Sequence, residues 1–136
     1  MVVDTNLLVY LYVGGQRTAQ AEAVLSGDPD WAAPLLWRSE FRNTLAGLVR
    51  RRALPLEDAL LIVEEAERAM AGREYMIVSH QVLRLSAESG CSAYDCEFVA
   101  LAVDLRTSLV TADRQILAAF PSVAVAPDVF VRARRP

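Results

Sequence analysis

The chain contains no lysine: its 14 positions of lysine plus arginine are all arginine. That absence removes several chemistries together, namely a phosphate-cradling P-loop, Schiff-base catalysis and lysine-assisted phosphotransfer. Histidine is nearly missing as well, with His80 alone, and cysteine is limited to Cys91 and Cys96. Two cysteines so close in sequence build no disulfide framework, and one histidine beside them leaves too few ligands for a Cys/His zinc site. They read as reduced, structural thiols, and His80 as a helix-start residue rather than a general base. Although 54% of the residues are hydrophobic, no run approaches the roughly 20 apolar residues of a membrane-spanning helix. Asp4 already interrupts the first apolar run, which argues against a secretory leader. The expected address is the cytoplasm, with no membrane partner. A formal charge of −3 excludes nucleic-acid binding by overall charge, so any such contact must be local.

What is present is an alternation of short apolar runs with longer helix-period segments, the pattern of an α/β domain with a mostly parallel sheet. The 136 residues suit a single domain over 1–136. The pattern predicts strands at 1–4, at 30–33 closed by Pro34, at 75–78, at 108–111 and at 123–126. Helices are predicted over 5–12, 16–25, 35–52, 56–71, 81–88, 93–106 and 114–119. A basic tail, about 131–136, with Arg132, Arg134 and Arg135, is expected to fray.

In an open α/β sheet ligands gather beyond the carboxyl ends of the strands. Asp4 closes the first strand and Asp113 stands just past the strand that ends at Thr111. If those strands are neighbours, the two carboxylates converge. Asp95 shares a helix side with Phe98, Val99 and Ala102, whereas Glu97 and Asp104 lie roughly opposite. Glu40 flanks the stripe formed by Trp37, Phe41, Leu45 and Leu48. Each acid has an ordinary use too. Asp4 and Asp113 can cap the helices that follow them, Ser92-Ala93-Tyr94-Asp95 fits a capping box, and Glu40 can simply reach solvent.

The conjunction is what points to chemistry. At about 4 Å and an effective dielectric near 20, each like-charged pair costs on the order of 4 kcal/mol. A cation must offset such a cluster, and oxygen-only ligands favour Mg2+ or Mn2+ over zinc. The corresponding reaction is phosphodiester hydrolysis, with the cation activating a water and offsetting charge on the phosphoryl oxygens.

Four segments carry a resemblance. Val2-Val3-Asp4-Thr5-Asn6, Ser39-Glu40-Phe41-Arg42-Asn43, the run from Ala93-Tyr94-Asp95-Cys96-Glu97 through Ala102, and Leu109-Val110-Thr111-Ala112-Asp113 resemble, in order, the four acidic motifs of PIN domains. The third is closest to VapC-type toxins. The resemblance implies a three-layer α/β/α sandwich, Mg2+- or Mn2+-dependent cleavage of RNA, a homodimer, and inhibition by a small antitoxin. It assigns metal-linked roles to Asp4, Glu40, Asp95 and Asp113, and makes Asn6 and Thr111 supporting polar groups that orient carboxylates or water. Some relatives carry a further acid after the last motif, where Arg114, Gln115 and Ile116 follow here, so one ion is expected rather than two.

Arg38 and Arg42, one helical turn apart near Glu40, are candidate RNA contacts, as is the run Arg50-Arg51-Arg52. Solvated faces and favourable cations at a helix C-terminus are their ordinary alternatives. The expected function is therefore a metal-dependent endoribonuclease acting as a toxin. The alternatives are a catalytically inert antitoxin-binding or interaction domain, and a phosphatase using Asp4 as nucleophile. The last is disfavoured by Asn6, where such sites want a second acid, and by the missing lysine.

Overall fold

Val2 and Val3 are fully buried on both faces, which is what a central parallel strand demands of its side chains. They form β1 (Val2–Val3), flanked by β4 (Leu109–Val110), which in turn pairs with β5 (Ala124–Val125). β2 (Ala33–Pro34) pairs with β3 (Glu74–Tyr75), and a parallel bridge from Val2 to Ala32 joins the two sets. The computed structural model describes residues 1–134, and every strand pairing among them is parallel. The strands thus lie in the order β3-β2-β1-β4-β5.

Parallel neighbours need crossover connections, and helices supply them: α1 (Thr5–Tyr12), α2 (Thr18–Gly27), α3 (Leu36–Arg50), α4 (Leu56–Met70), α5 (Ser79–Ser89), α6 (Ala93–Asp104), α7 (Arg114–Ala119) and α8 (Pro127–Ala133). α6 lies across β1, β2 and β4 with α5 against it, while α1 to α4 and α8 pack among themselves. The result is the expected α/β/α layering around a parallel sheet. α3 is anchored by Trp37 and Phe41, both fully buried, with their rings edge to face at 5.4 Å. Those two side chains fix the rotation of α3 and leave Glu40 at the edge of the buried stripe.

Several boundaries differ from the sequence pattern. β2 includes Pro34 instead of ending before it, and β3 covers Glu74–Tyr75 because the chain leaves the sheet at Met76, which is 87% exposed. α6 stops at Asp104, with Arg106 at φ 52° turning the chain away. The tail does not fray over its described part. Residues 127–133 form α8, with Pro127 in its first turn and Phe130 buried against Gly27. Arg134 donates to the Gly27 carbonyl at 2.6 Å and lies over the Phe130 ring, and Arg132 pairs with Asp128. The signal was the spacing Pro127, Phe130, Val131, a helical stripe that the arginines obscured. Arg135 lies outside the described residues.

Both cysteines are free, as the sequence predicts, and both are buried, sharing a small cluster with Val82 and Ala100. Ser92 caps α6, so Cys91 and Cys96 occupy the two positions that pack together as a hydrophobic staple and set the entry angle of a helix. That helix carries Asp95. His80 is exposed in the first turn of α5, where a helix-start residue belongs.

Candidate metal centre

β1 and β4 run parallel in a register that sets Val3 opposite Val110. The next residue of each strand, Asp4 and Thr111, therefore stand side by side at the carboxyl edge of the sheet. Thr111 donates from Oγ1 to Asp4 Oδ2 at 2.6 Å, and the Leu7 N–H donates to Asp4 Oδ1 at 3.0 Å. Asp4 thus caps α1 and at the same time faces the cleft beyond the sheet, so the cap and the site are one residue's two tasks. Asp113 repeats the arrangement: its Oδ1 accepts the Ile116 N–H at 3.0 Å as the cap of α7, while its own N–H donates to Thr111 Oγ1 at 3.0 Å.

Glu40 comes from α3 and is held by a residue that the motif reading did not single out. Thr5 donates from Oγ1 to Glu40 Oε1 at 2.8 Å. Asp95 comes from the first turn of α6, where its N–H donates to Ser92 Oγ at 3.1 Å. Only this half of the capping box is made. The Asp95 carboxylate lines the cleft while staying near the Ser92 hydroxyl at the helix start.

The four carboxylates line one cleft of about 220 Å³. Thr5, Asn6, Asn43 and Thr44 complete its polar wall, Phe98 and Ile116 its apolar one, and among the described residues no arginine lines it. Burial pushes the Asp4 carboxyl up, against the opposing bonds from Thr111 and Leu7, and the Asp113 charge adds to the rise. Glu40 is raised by burial, with Thr5 opposing and with Asp95, Asp4 and Glu97 adding repulsion. Asp95 is raised by burial and by Asp113, with Ser92 opposing. These influences connect all four acids, so their charges are felt mutually across the cleft.

The donor set fits a hard divalent cation: oxygen ligands only, negative, partly desolvated, with neither sulfur nor imidazole in the cleft. Among the described residues, however, no three acidic side chains are gathered tightly enough to enclose a cation directly. Magnesium keeps several of its waters and takes only one or two carboxylates directly. A cleft this wide, ringed by four carboxylates, matches that habit better than a closed cage would.

The candidate RNA contacts are placed elsewhere. Arg38 grips Glu74 with Nε at 2.7 Å and Nη2 at 2.8 Å, and Trp37 Nε1 donates to the same carboxylate at 2.7 Å. This pair ties the start of α3 to β3 and holds the Glu74 carboxyl below its ordinary range. Arg38→Ala should cost about 2–3 kcal/mol of stability, because Glu74 would lose its cation while remaining largely buried. Denaturant midpoints would show that loss, whereas any activity of the cleft, measured on the folded fraction, should persist. Arg42 reaches Glu67 at 3.4 Å and, with Arg50, edges a separate, almost wholly apolar groove between α3 and α4 that includes Leu45, Leu56 and Leu60.

Glu97 is a correction of another kind. It is half-buried on α6, its carboxyl is raised by burial, and its charge reaches Glu40, so it does not face freely outward. Asn43 and Thr44 were also missed, although they sit three and four residues after Glu40 on α3, the spacing that places side chains on one helix face.

Comparison with known proteins agrees with this fold. The family model for the PIN domain matches residues 1–122. Ribonuclease VapC3 of Pyrobaculum aerophilum is 31% identical over 126 residues, covering 90% of this chain and 96% of the relative. Among solved structures, one from Pyrobaculum aerophilum superposes with a TM-score of 0.76 at 21% identity, covering 97% of this chain and 93% of that one. A toxin–antitoxin complex from Klebsiella pneumoniae gives 0.67 at 19%, covering 93% and 96%. The chain belongs to the PIN-domain family. Within that family its sequence is similar to a VapC ribonuclease along nearly its whole length.

Proposed function

We propose that this chain is a divalent-cation-dependent endoribonuclease and the toxin member of a toxin–antitoxin pair, acting in the cytoplasm. The observation that carries the reading is the meeting, in one cleft, of Asp4, Glu40, Asp95 and Asp113 from four separate segments of the chain. The relative named as a ribonuclease supports the substrate class.

When bound, Mg2+ or Mn2+ would polarise a water and offset charge on the scissile phosphate. The chain's own contribution is to hold and orient. Asp4 and Asp113 present carboxylates whose positions are fixed by helix caps and by Thr111. Glu40 and Asp95 face them from α3 and α6. Asn6 and Asn43 at the exposed side of the cleft offer neutral amides, able to donate to phosphate or sugar oxygens without adding negative charge. An Asp4 nucleophile is poorly served here, since both of its oxygens already accept hydrogen bonds. The idea of inert caps loses its force because three of the acids cap or sit at helix starts and still line the cleft.

The partners in this reading are an RNA strand, a small antitoxin and a second copy of the chain. Structural likeness to a toxin–antitoxin complex supports the antitoxin. Two uncovered apolar surfaces would suit the protein partners: the α3–α4 groove with Leu56 and Leu60, and a depression lined by Ile77, Leu83 and Tyr94. The test is cleavage of a mixed-sequence RNA. Cleavage is expected with Mg2+ or Mn2+ and none with excess chelator, and equal activity in both conditions would refute the metal-dependent reading.

A further inference from the structure

Thr5 is the first residue of α1, it is only 7% exposed, and its chain neighbour is Asp4. A buried hydroxyl needs a partner. A threonine inside a helix commonly finds one in the carbonyl four residues earlier, and Thr44 does so within α3, donating to the Glu40 carbonyl at 3.2 Å. At the first helical position no such carbonyl exists in the helix. The Thr5 hydroxyl instead crosses to α3 and donates to Glu40 Oε1 at 2.8 Å, a link between residues 35 apart in the chain.

The consequence lies in the carboxylate that receives it. Glu40 is half-buried and flexible along its length, and unheld it would gain rotamer freedom by swinging to solvent. The bond occupies Oε1, while among the described residues Oε2 accepts nothing. The branched Thr5 side chain has few rotamers of its own and so is a stiff support. Asp4 and Thr5 share a peptide unit, so wherever the sheet edge places Asp4, Thr5 draws the α3 carboxylate to a matching position.

Resting on the metal-nuclease reading above, we infer that Thr5 is a positioning residue of the cation site: its hydroxyl bond to Oε1 presents Glu40 Oε2 to a cation shared with Asp4. It acts through Glu40, to which its hydroxyl is already committed. Hydrogen bonds of this kind behind a metal-binding carboxylate are worth roughly 10- to 100-fold in metal affinity.

The experiment is Mn2+ titration by calorimetry on the full chain, with thermal melting in chelator as a check of folding. Thr5→Val keeps the shape and removes the donor, and should weaken Mn2+ binding by roughly 10- to 100-fold. Thr5→Ser keeps the donor and should restore most of the affinity. In a Glu40→Gln background, Thr5→Val should add nothing further, since the two act as one unit. Should the valine variant not fold, Thr5→Ala, which cannot overpack, replaces it. Wild-type affinity in the valine or alanine variant would overturn the inference and leave the nuclease reading standing. A loss that persists undiminished in the Glu40→Gln background would also overturn it, showing that Thr5 acts by another route. Absence of Mn2+ binding by the wild type would overturn both.

Discussion

Replacing Asp95 by asparagine is expected to reduce RNA cleavage by roughly a thousandfold or more while leaving the protein at least as stable as before. On the proposed reading the loss follows from removing one negative ligand where several kcal/mol of transition-state charge stabilisation is at stake, about 4 kcal/mol corresponding to three orders of magnitude. The stability half follows from the surroundings of Asp95. Its carboxyl is raised by burial and by Asp113, so the charged form is disfavoured in the fold. A neutral isostere relieves that without disturbing the Asp95 N–H that Ser92 accepts. Activity and melting temperature should therefore move in opposite directions, a combination that unfolding cannot produce. Asp4→Asn should be as damaging to cleavage, but its amide would face the Thr111 hydroxyl, so stability would fall with it. The proper control is Asp104→Asn. Asp104 is exposed on α6 and, among the described residues, bonded only to Gln81, and cleavage should stay within about twofold of wild type. Glu97 cannot serve, given its burial and its charge on Glu40.

The second large effect concerns stability itself. Asp4, Glu40 and Asp95 all have carboxyls raised above their ordinary values in the fold. Between the ordinary and the raised value the folded chain holds more protons than the unfolded one, so stability falls as pH rises through that window. In chelator, melting temperature should decline from mildly acidic toward neutral pH. Glu74 works in the opposite sense, its depressed carboxyl contributing stability that is lost as pH falls through its folded value. That places an optimum between the two effects. Mg2+ or Mn2+ should reverse the neutral-pH decline. At a hundred times its dissociation constant a ligand adds about 2.7 kcal/mol, which for a chain of this size raises melting by roughly 8–10 °C. A melting temperature indifferent to both pH and cation would mean that the cleft carries no shared burden of charge.

The strand-end acids were the most legible part of the sequence, because a short apolar run followed by Asp4, and another followed by Asp113, locate themselves. Parallel register then did the rest. Asp95 and Glu40 were legible only as departures from helix patterns, and the structure shows why each departure is tolerated: the carboxylates open into a cleft. Thr5 was not visible, since a hydroxyl after an acid reads as ordinary helix-start chemistry and its partner lies on another helix. Arg38 failed for the converse reason. A cation near an acidic motif invites a role with RNA, but Glu74, distant in sequence, had already claimed it. α8 was hidden by the arginines at its end: Arg134 lies over the Phe130 ring, while the charges mark the segment as tail.

The register of β1 with β4 also governs when the protein can act. A one-residue slip would turn Thr111 to the opposite face of the sheet and strip Asp4 of its donor. Since these partners are 107 residues apart, a ribosome must release most of the polypeptide before this edge of the sheet can assemble. On the proposed nuclease reading, nascent or mispaired chains are thereby inactive.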